Sequence, residues 1–339
     1  MSLSETERGQ MLASLRRMGL AGPQEAVTLQ PLTGGVSSLI VLATPAGGPV
    51  CVKTALPQLR VAAQWLAPVE RNHAEVAWLR WVAGIVPERV PAVLGEDPVG
   101  HAFAMTWLDP ERHPVWKTEL REGRADPALA AAVARTLAAI HQASAGRPDL
   151  AAAFAHDAQF HALRLDPYLG AAALAHPDCA PALRGLITRT AGNRIALVHG
   201  DVSPKNILCG PRGPVVLDAE CAWYGDPAFD LAFLLNHLLL KCAWRPAHAA
   251  AYLACLRAAA QAYLDAVGWE DPDALQARVA ALIGGLLLAR VDGKSPVEYL
   301  DTEALRAPVR AAARHLVLHP APHLPALVDT WRALMKIPA

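Results

Sequence analysis

The chain has 339 residues, 53% of them hydrophobic, and 31 basic side chains balance 31 acidic ones to a formal net charge of zero. That apolar content supplies a sizeable core for one large or two smaller domains, and a neutral balance with dispersed basic residues excludes a nucleic-acid surface. The cysteines at 51, 179, 209, 221, 242 and 255 form no CxxC pair and read as buried reduced thiols, not as a disulfide framework or zinc site. The start of the chain is polar and charged through Gln10, unlike a secretory leader. The apolar stretch at 231–240 is interrupted by Asn236 and His237 and is too short to cross a bilayer. These features predict a cytoplasmic chain with no membrane partner.

Residues 4–19 place Leu12, Leu15 and Met18 at helical spacing behind Ser4, with Glu7 completing a capping box. Strands follow at 27–32, 39–43 and 50–53, with Thr33-Gly-Gly-Val-Ser-Ser38 as a glycine loop at the first turn of an antiparallel meander. A helix is predicted at 68–83, closed by Pro87 and Pro91, and two more strands at 92–94 and 101–106. Beyond Trp107-Leu-Asp-Pro110 the composition changes to Ala/Leu-rich helices, predicted at 126–145, 178–191, 228–241, 247–267, 271–291, 304–316 and 323–336. The strands of this half are confined to a hairpin at 195–218. The expectation is an α+β chain with a small β-rich part at 1–107 and a larger, mostly helical part at 108–339.

The hairpin carries the chemistry. Leu197-Val-His-Gly-Asp-Val-Ser-Pro-Lys-Asn-Ile-Leu208 delivers Asp201 after an apolar run, and Asn206 follows five residues later. Pro214-Val-Val-Leu217 then delivers Asp218, with Glu220 two residues on. Phosphoryl transfer asks a protein for positioning, for metal ions on the phosphates and for a carboxylate at the attacking hydroxyl. Asp201 is the candidate base. Asn206 and Asp218 are candidate Mg2+ ligands, because hard cations take oxygen donors, and Glu220 reaches the same cluster if the backbone stays extended.

The stretch 198–208 resembles the catalytic loop of the aminoglycoside phosphotransferase and choline kinase superfamily, small-molecule relatives of protein kinases. Val216-Leu-Asp-Ala-Glu220 is similar to its metal segment, and Gly225-Asp-Pro-Ala-Phe-Asp-Leu-Ala232 to the segment after it. The resemblance runs over about 27–240 and implies a bilobal protein-kinase-like fold, ATP, Mg2+ and a small-molecule hydroxyl acceptor. It implies that Lys53 contacts the ATP phosphates and pairs with a helix glutamate, for which Glu75 is chosen over Glu70. Gly34, Gly35, Ser37 and Ser38 would approach the phosphates, and adenine would bond backbone near Thr106 and Trp107. His199 would orient the loop, and Asp230 would cap a helix or bond the loop backbone.

For the acceptor, the polar break Ala289-Arg-Val-Asp-Gly-Lys-Ser-Pro296 offers Arg290, and Trp223 is a candidate pocket wall. A closer similarity is to 5-methylthioribose kinases, at 52–60 with Trp65, at Leu163-Arg-Leu-Asp-Pro-Tyr168 and at 217–220. The chain departs from them at Asn206, where they tend to carry serine, and the Arg-Arg pair expected near the substrate is not evident, Arg290 being the one candidate. The leading reading is an active kinase of a sugar, amino alcohol or similar metabolite, with methylthioribose as runner-up. A catalytically inactive nucleotide-binding module is the alternative of another class. A homodimer is left open. The His-Arg-Asp, Asp-Phe-Gly and Ala-Pro-Glu segments of protein kinases are absent.

Overall fold

Period-two burial builds the first unit. In β2 (Ser38–Thr44) Leu39, Val41 and Ala43 are buried while Ile40 and Leu42 are half-buried, the pattern of a strand with one face on a core. The computed structural model describes residues 3–32, 38–56 and 71–338. It divides the chain into two units, Met1–His113 with Leu217–Glu220, and Pro114–Val216 with Cys221–Ala339.

In the first unit β1 (Thr28–Pro31), β2, β3 (Val50–Ala55), β4 (Val93–Asp97) and β5 (Ala102–Thr106) form one antiparallel sheet in the order β1-β2-β3-β5-β4. Helix α1 (Glu5–Arg17) closes one face, with Met11 and Leu15 packed among Leu29, Val41 and Val52. Its capping box forms as the Ser4/Glu7 spacing predicts: the Glu7 amide donates to Ser4 Oγ at 3.2 Å and the Ser4 amide to Glu7 Oε2 at 2.9 Å. The far end is tied to β4 by Asp97, which accepts from Ser14 Oγ at 2.6 Å and from both Arg17 Nε and Nη2 at 2.8 and 2.7 Å. Helix α2 (Arg71–Ala83) completes the unit.

The second unit is helical: α3 (Trp116–Arg121), α4 (Pro127–Ser144), α5 (Pro148–Ala153), α6 (Asp157–Phe160), a π-helical run at His161–Gly170, α7 (Ala171–Ala175) and α8 (Ala180–Gly192). After the loop region come α9 (Ala228–Trp244), α10 (Ala249–Leu264), α11 (Pro272–Asp292), α12 (Glu303–Leu318) and α13 (Leu324–Met335). Every residue of α9 from Ala228 to Ala243 is buried, so this helix is the axis of the unit, with α10 and α11 packed on it. Among the described residues α11 alone has the length and composition to cross a membrane, yet 67% of its most apolar window is buried inside the fold.

The expected hairpin at 195–218 is built differently. The first apolar run, β6 (Ala196–Val198), pairs with β9 (Trp223–Gly225), a strand the sequence reading lacked. The hairpin proper is β7 (Ile207–Gly210) with β8 (Gly213–Val216). The reason is Gly200: at φ +81° it turns the chain away directly after β6, so the apolar run behind Asn206 becomes the strand that pairs. The run at 161–170 was also unforeseen, because Pro167 forbids a regular α-helix there and the wider π turn accommodates it.

Arg17 and Ser14 hold the Asp97 carboxyl down at about 2, so its stabilising effect is present above the ordinary aspartate range and is lost as pH falls through about 2. Because Arg17 is half exposed, Asp97→Asn is expected to cost about 1–2 kcal/mol at neutral pH. Urea-denaturation midpoints of variant and parent should converge between about pH 4 and pH 2; a constant gap across that window refutes the assignment.

Candidate active site

In the first unit a lysine is buried among carboxylates. Lys53 lies in β3, 2% exposed, paired in register with Ile40 and Phe103. Its Nζ donates to Glu75 Oε2 at 2.5 Å and pairs with Asp218. Glu75 and Arg71 stand four residues apart on one face of α2. Arg71 Nε donates to Glu220 Oε2 at 3.0 Å and Nη2 to the Leu56 carbonyl at 2.7 Å. The helix partner of Lys53 is thus Glu75; the alternative, Glu70, lies outside the described residues.

Three carboxylates face two cations in this set. Burial works against the Lys53 ammonium, but Asp218, Glu75 and Glu220 overcome it and hold its pKa above the ordinary lysine value. Burial, with Asp218 and Glu220 nearby, pushes Glu75 up to about 7 against the pull of Lys53. Asp218 is the set's most accessible carboxylate, with a side chain 24% exposed, where Glu75 shows 1%. An oxygen-donor set of this kind fits a hard divalent cation. Among the described residues no cluster of three or more His, Cys, Asp or Glu forms a complete metal cage. Mg2+ shared between one or two protein ligands and phosphate needs none. Asp218 also takes φ +67°, a left-handed backbone that a side chain adopts only under local constraint.

In the second unit the loop after β6 is held by its backbone. Asp230, fully buried in the first turn of α9, accepts from the His199 amide at 2.7 Å and the Gly200 amide at 2.8 Å. The His199 ring then accepts from the Asp201 amide through Nδ1 at 3.1 Å, which orients the next residue. A Cβ at position 200 would meet the Cys221 carbonyl oxygen at 2.8 Å, so only glycine fits. Asp201 is 5% exposed, and its Oδ2 pairs with Arg164 at 3.0 Å and Lys205 at 3.2 Å. Arg164 Nε also donates to the Gly200 carbonyl at 2.5 Å. Asn206 Nδ2 donates to the Asp201 carbonyl at 3.0 Å, which turns its amide oxygen into the group available to a cation. Asn206 immediately precedes β7, and Leu217-Asp218 immediately follow β8.

The other expected residues fall as follows. Gly34, Gly35 and Ser37 lie outside the described residues. Ser38 opens β2, 2% exposed, and its hydroxyl has no hydrogen-bond partner among the described residues. The Thr106 amide is engaged by the Ala92 carbonyl at 2.9 Å, so that donor is not open to a base; Trp107 beside it is half-buried. Trp223 is corrected from pocket wall to core. It is 1% exposed, stacks on Phe160 at 4.4 Å and donates its indole N–H to Asp157 at 3.0 Å. Arg290 contacts Ser295 and, at 3.4 Å, the Tyr168 hydroxyl. Arg164 and Arg71 were missed as site residues. An arginine between Leu163 and Leu165 in an otherwise apolar run was the signal for the first; for the second, its spacing to Glu75 was.

The profile of the phosphotransferase enzyme family (APH) matches residues 28–266. A methylthioribose kinase of Pectobacterium atrosepticum is 28% identical over 257 residues, covering 66% of this chain and 62% of that protein. Methylthioribose kinase 1 of Oryza sativa subsp. japonica is 25% identical over 258 residues, covering 68% and 60%. The chain thus spans about 60% of the length of these curated relatives. A choline/ethanolamine kinase family protein from Mesorhizobium loti shares the fold, with a TM-score of 0.53 at 16% identity over 98% of this chain and 99% of that one.

Asp230→Asn keeps one acceptor but sets an amide donor against a backbone N–H. It is expected to cost about 2 kcal/mol in urea denaturation. A loss below about 0.5 kcal/mol would show that the loop does not hang on this carboxylate.

Proposed function

The chain belongs to the phosphotransferase enzyme family, and on that premise we propose that it moves the γ-phosphate of ATP to a hydroxyl of a small molecule. The observation that carries this reading is Lys53, a buried ammonium held between Glu75 and Asp218. An ammonium fixed in a strand by two carboxylates is a preorganised point charge for the oxygens of a phosphate, because it need not reorganise when charge develops. Asp218 and Glu220 in the first unit and Asn206 in the second are each candidates to hold Mg2+, which supplies neutralisation of phosphate charge when bound.

Asp201 receives the acceptor's hydroxyl. Arg164 and Lys205 both grip its Oδ2, and Asp230 fixes the backbone beneath it, so the carboxylate is oriented before substrate arrives. The hydroxyl donates to Asp201, its oxygen forms a bond to the γ-phosphorus as the bond to the β,γ-bridging oxygen breaks, ADP leaves with that oxygen, and the hydroxyl proton passes to the carboxylate.

Methylthioribose is the second reading for the acceptor. It is supported by the relatives of that name and by Arg164, which comes from the segment 163–168 similar to those enzymes and contacts Asp201.

Asp201→Asn is expected to lower kcat by about 10²–10⁴ while the KM for ATP stays within about threefold. Near-parent turnover of that variant removes Asp201 from the chemistry. Lys53→Met should raise the KM for ATP at least about tenfold, the consequence of losing one charge-assisted contact. Chelation with EDTA should abolish turnover and added Mg2+ restore it. ATP binding without phosphoryl transfer to any member of a broad metabolite pool would favour the inactive module instead.

A further inference from the structure

Deep in the second unit four polar atoms from three elements have no hydrogen-bond partner among the described residues: His237 Nε2, Lys241 Nζ, Arg290 Nε and the Tyr299 hydroxyl. They are not scattered. His237 and Lys241 stand one turn apart on the same face of α9. Arg290 enters from the last turn of α11, and Tyr299 from the segment that follows it. Lys241 Nζ lies 3.7 Å from the Tyr299 ring centroid and 4.4 Å from that of Trp244.

Every one of these atoms can donate, and three sit on groups that carry or can carry positive charge. The rings under Lys241 attract its charge but offer no lone pair in the plane of a hydrogen bond. The nearby carboxylates are already engaged: Glu298 pairs with Lys117, and Asp292 with Arg310 and His176. Burial pulls Lys241 down to about 7, with Lys117 adding to the effect, and burial lowers His237 with Arg290 and Lys241 adding to it. Each buried donor without an acceptor costs about 1–3 kcal/mol, so four of them on one side of the fold call for an acceptor from outside the chain.

The set is also connected to Asp201. The Tyr168 ring has the Arg290 guanidinium at 5.7 Å and the Arg164 guanidinium at 5.9 Å, and Arg164 pairs with Asp201. Lys205, the second partner of Asp201, acts electrostatically on His237. One aromatic ring therefore separates the unpaired donors from the arginine that holds the proposed acceptor site.

We propose that His237, Lys241, Arg290 and Tyr299 form an anion pocket that binds the acidic group of the acceptor, making the substrate a hydroxylated carboxylate or phosphate ester and not a neutral polyol or a cation. The assignment rests on the phosphotransfer reading above and narrows it to one substrate class. An anion accepting from these donors would satisfy groups that the fold leaves unbonded, and would hold the acceptor by the end opposite its hydroxyl.

The test uses the full chain with Mg2+, labelled ATP and a small-molecule cell extract separated on anion-exchange resin into retained and unretained fractions. Label should appear in phosphate esters made from the retained fraction. Prior phosphatase treatment of that fraction distinguishes the sources: surviving activity assigns a carboxylate, and lost activity a phosphate ester. Transfer confined to the unretained fraction overturns the anion pocket while leaving the kinase reading intact. Transfer from neither fraction overturns the kinase reading, and the pocket falls with it. With the active fraction as probe, Lys241→Met and, separately, Arg290→Gln should raise the KM for the acceptor at least about tenfold, with the KM for ATP unchanged. Parent-like KM for the acceptor in both variants also overturns the proposal, and an unchanged KM for ATP reports that each variant is folded.

Discussion

The loop that carries Asp201 depends on one buried carboxylate. Asp230 has no solvent, and a carboxylate without water must be met by donors. It finds them in the amides of His199 and Gly200 and in the His141 ring at 3.2 Å, itself bonded to the Tyr263 hydroxyl at 2.6 Å. Its position in the first turn of α9 adds the favourable end of the helix dipole. Since α9 is the helix around which the second unit packs, the loop is indexed to a helix buried along nearly its whole length. Asp201, reached through the His199 ring, and Asn206, bonded to the Asp201 carbonyl, inherit that position.

The first unit solves a related problem with opposite means. There the buried group is a cation, and Lys53 is supported by carboxylates rather than by backbone. The anion pocket of the second unit is the converse case, buried donors with no acceptor among the described residues.

Much of this was legible in the sequence because the residues are close together there. The spacing from Asp201 to Asn206 and on to Asp218 is a local pattern, and the α+β division follows from the change of composition after residue 107. Glu75 was recoverable because Arg71-x3-Glu75-x3-Leu79 resembles the family's helix pattern, while Glu70, five residues earlier, falls on a different helical face. What sequence could not supply were the pairings that join distant segments. That β6 pairs with β9 depends on a left-handed glycine between them in space, and Arg164 reaches Asp201 from 37 residues away through a π-helical run that proline disguises. Trp223 was misplaced for the same reason, since nothing local tells a core tryptophan from one at a pocket wall.

The backbone at Asp218 has a further consequence. A left-handed residue bearing a Cβ costs about 1–2 kcal/mol relative to glycine, although aspartate tolerates the region better than most. Replacing Asp218 by glycine would relax that strain, but it would also take a carboxylate away from the buried Lys53 ammonium, which costs about 3–5 kcal/mol. The ion pair thus outweighs the backbone at this one position, so a glycine that suits the local dihedrals is a poor choice when variants of this protein are designed for heat resistance.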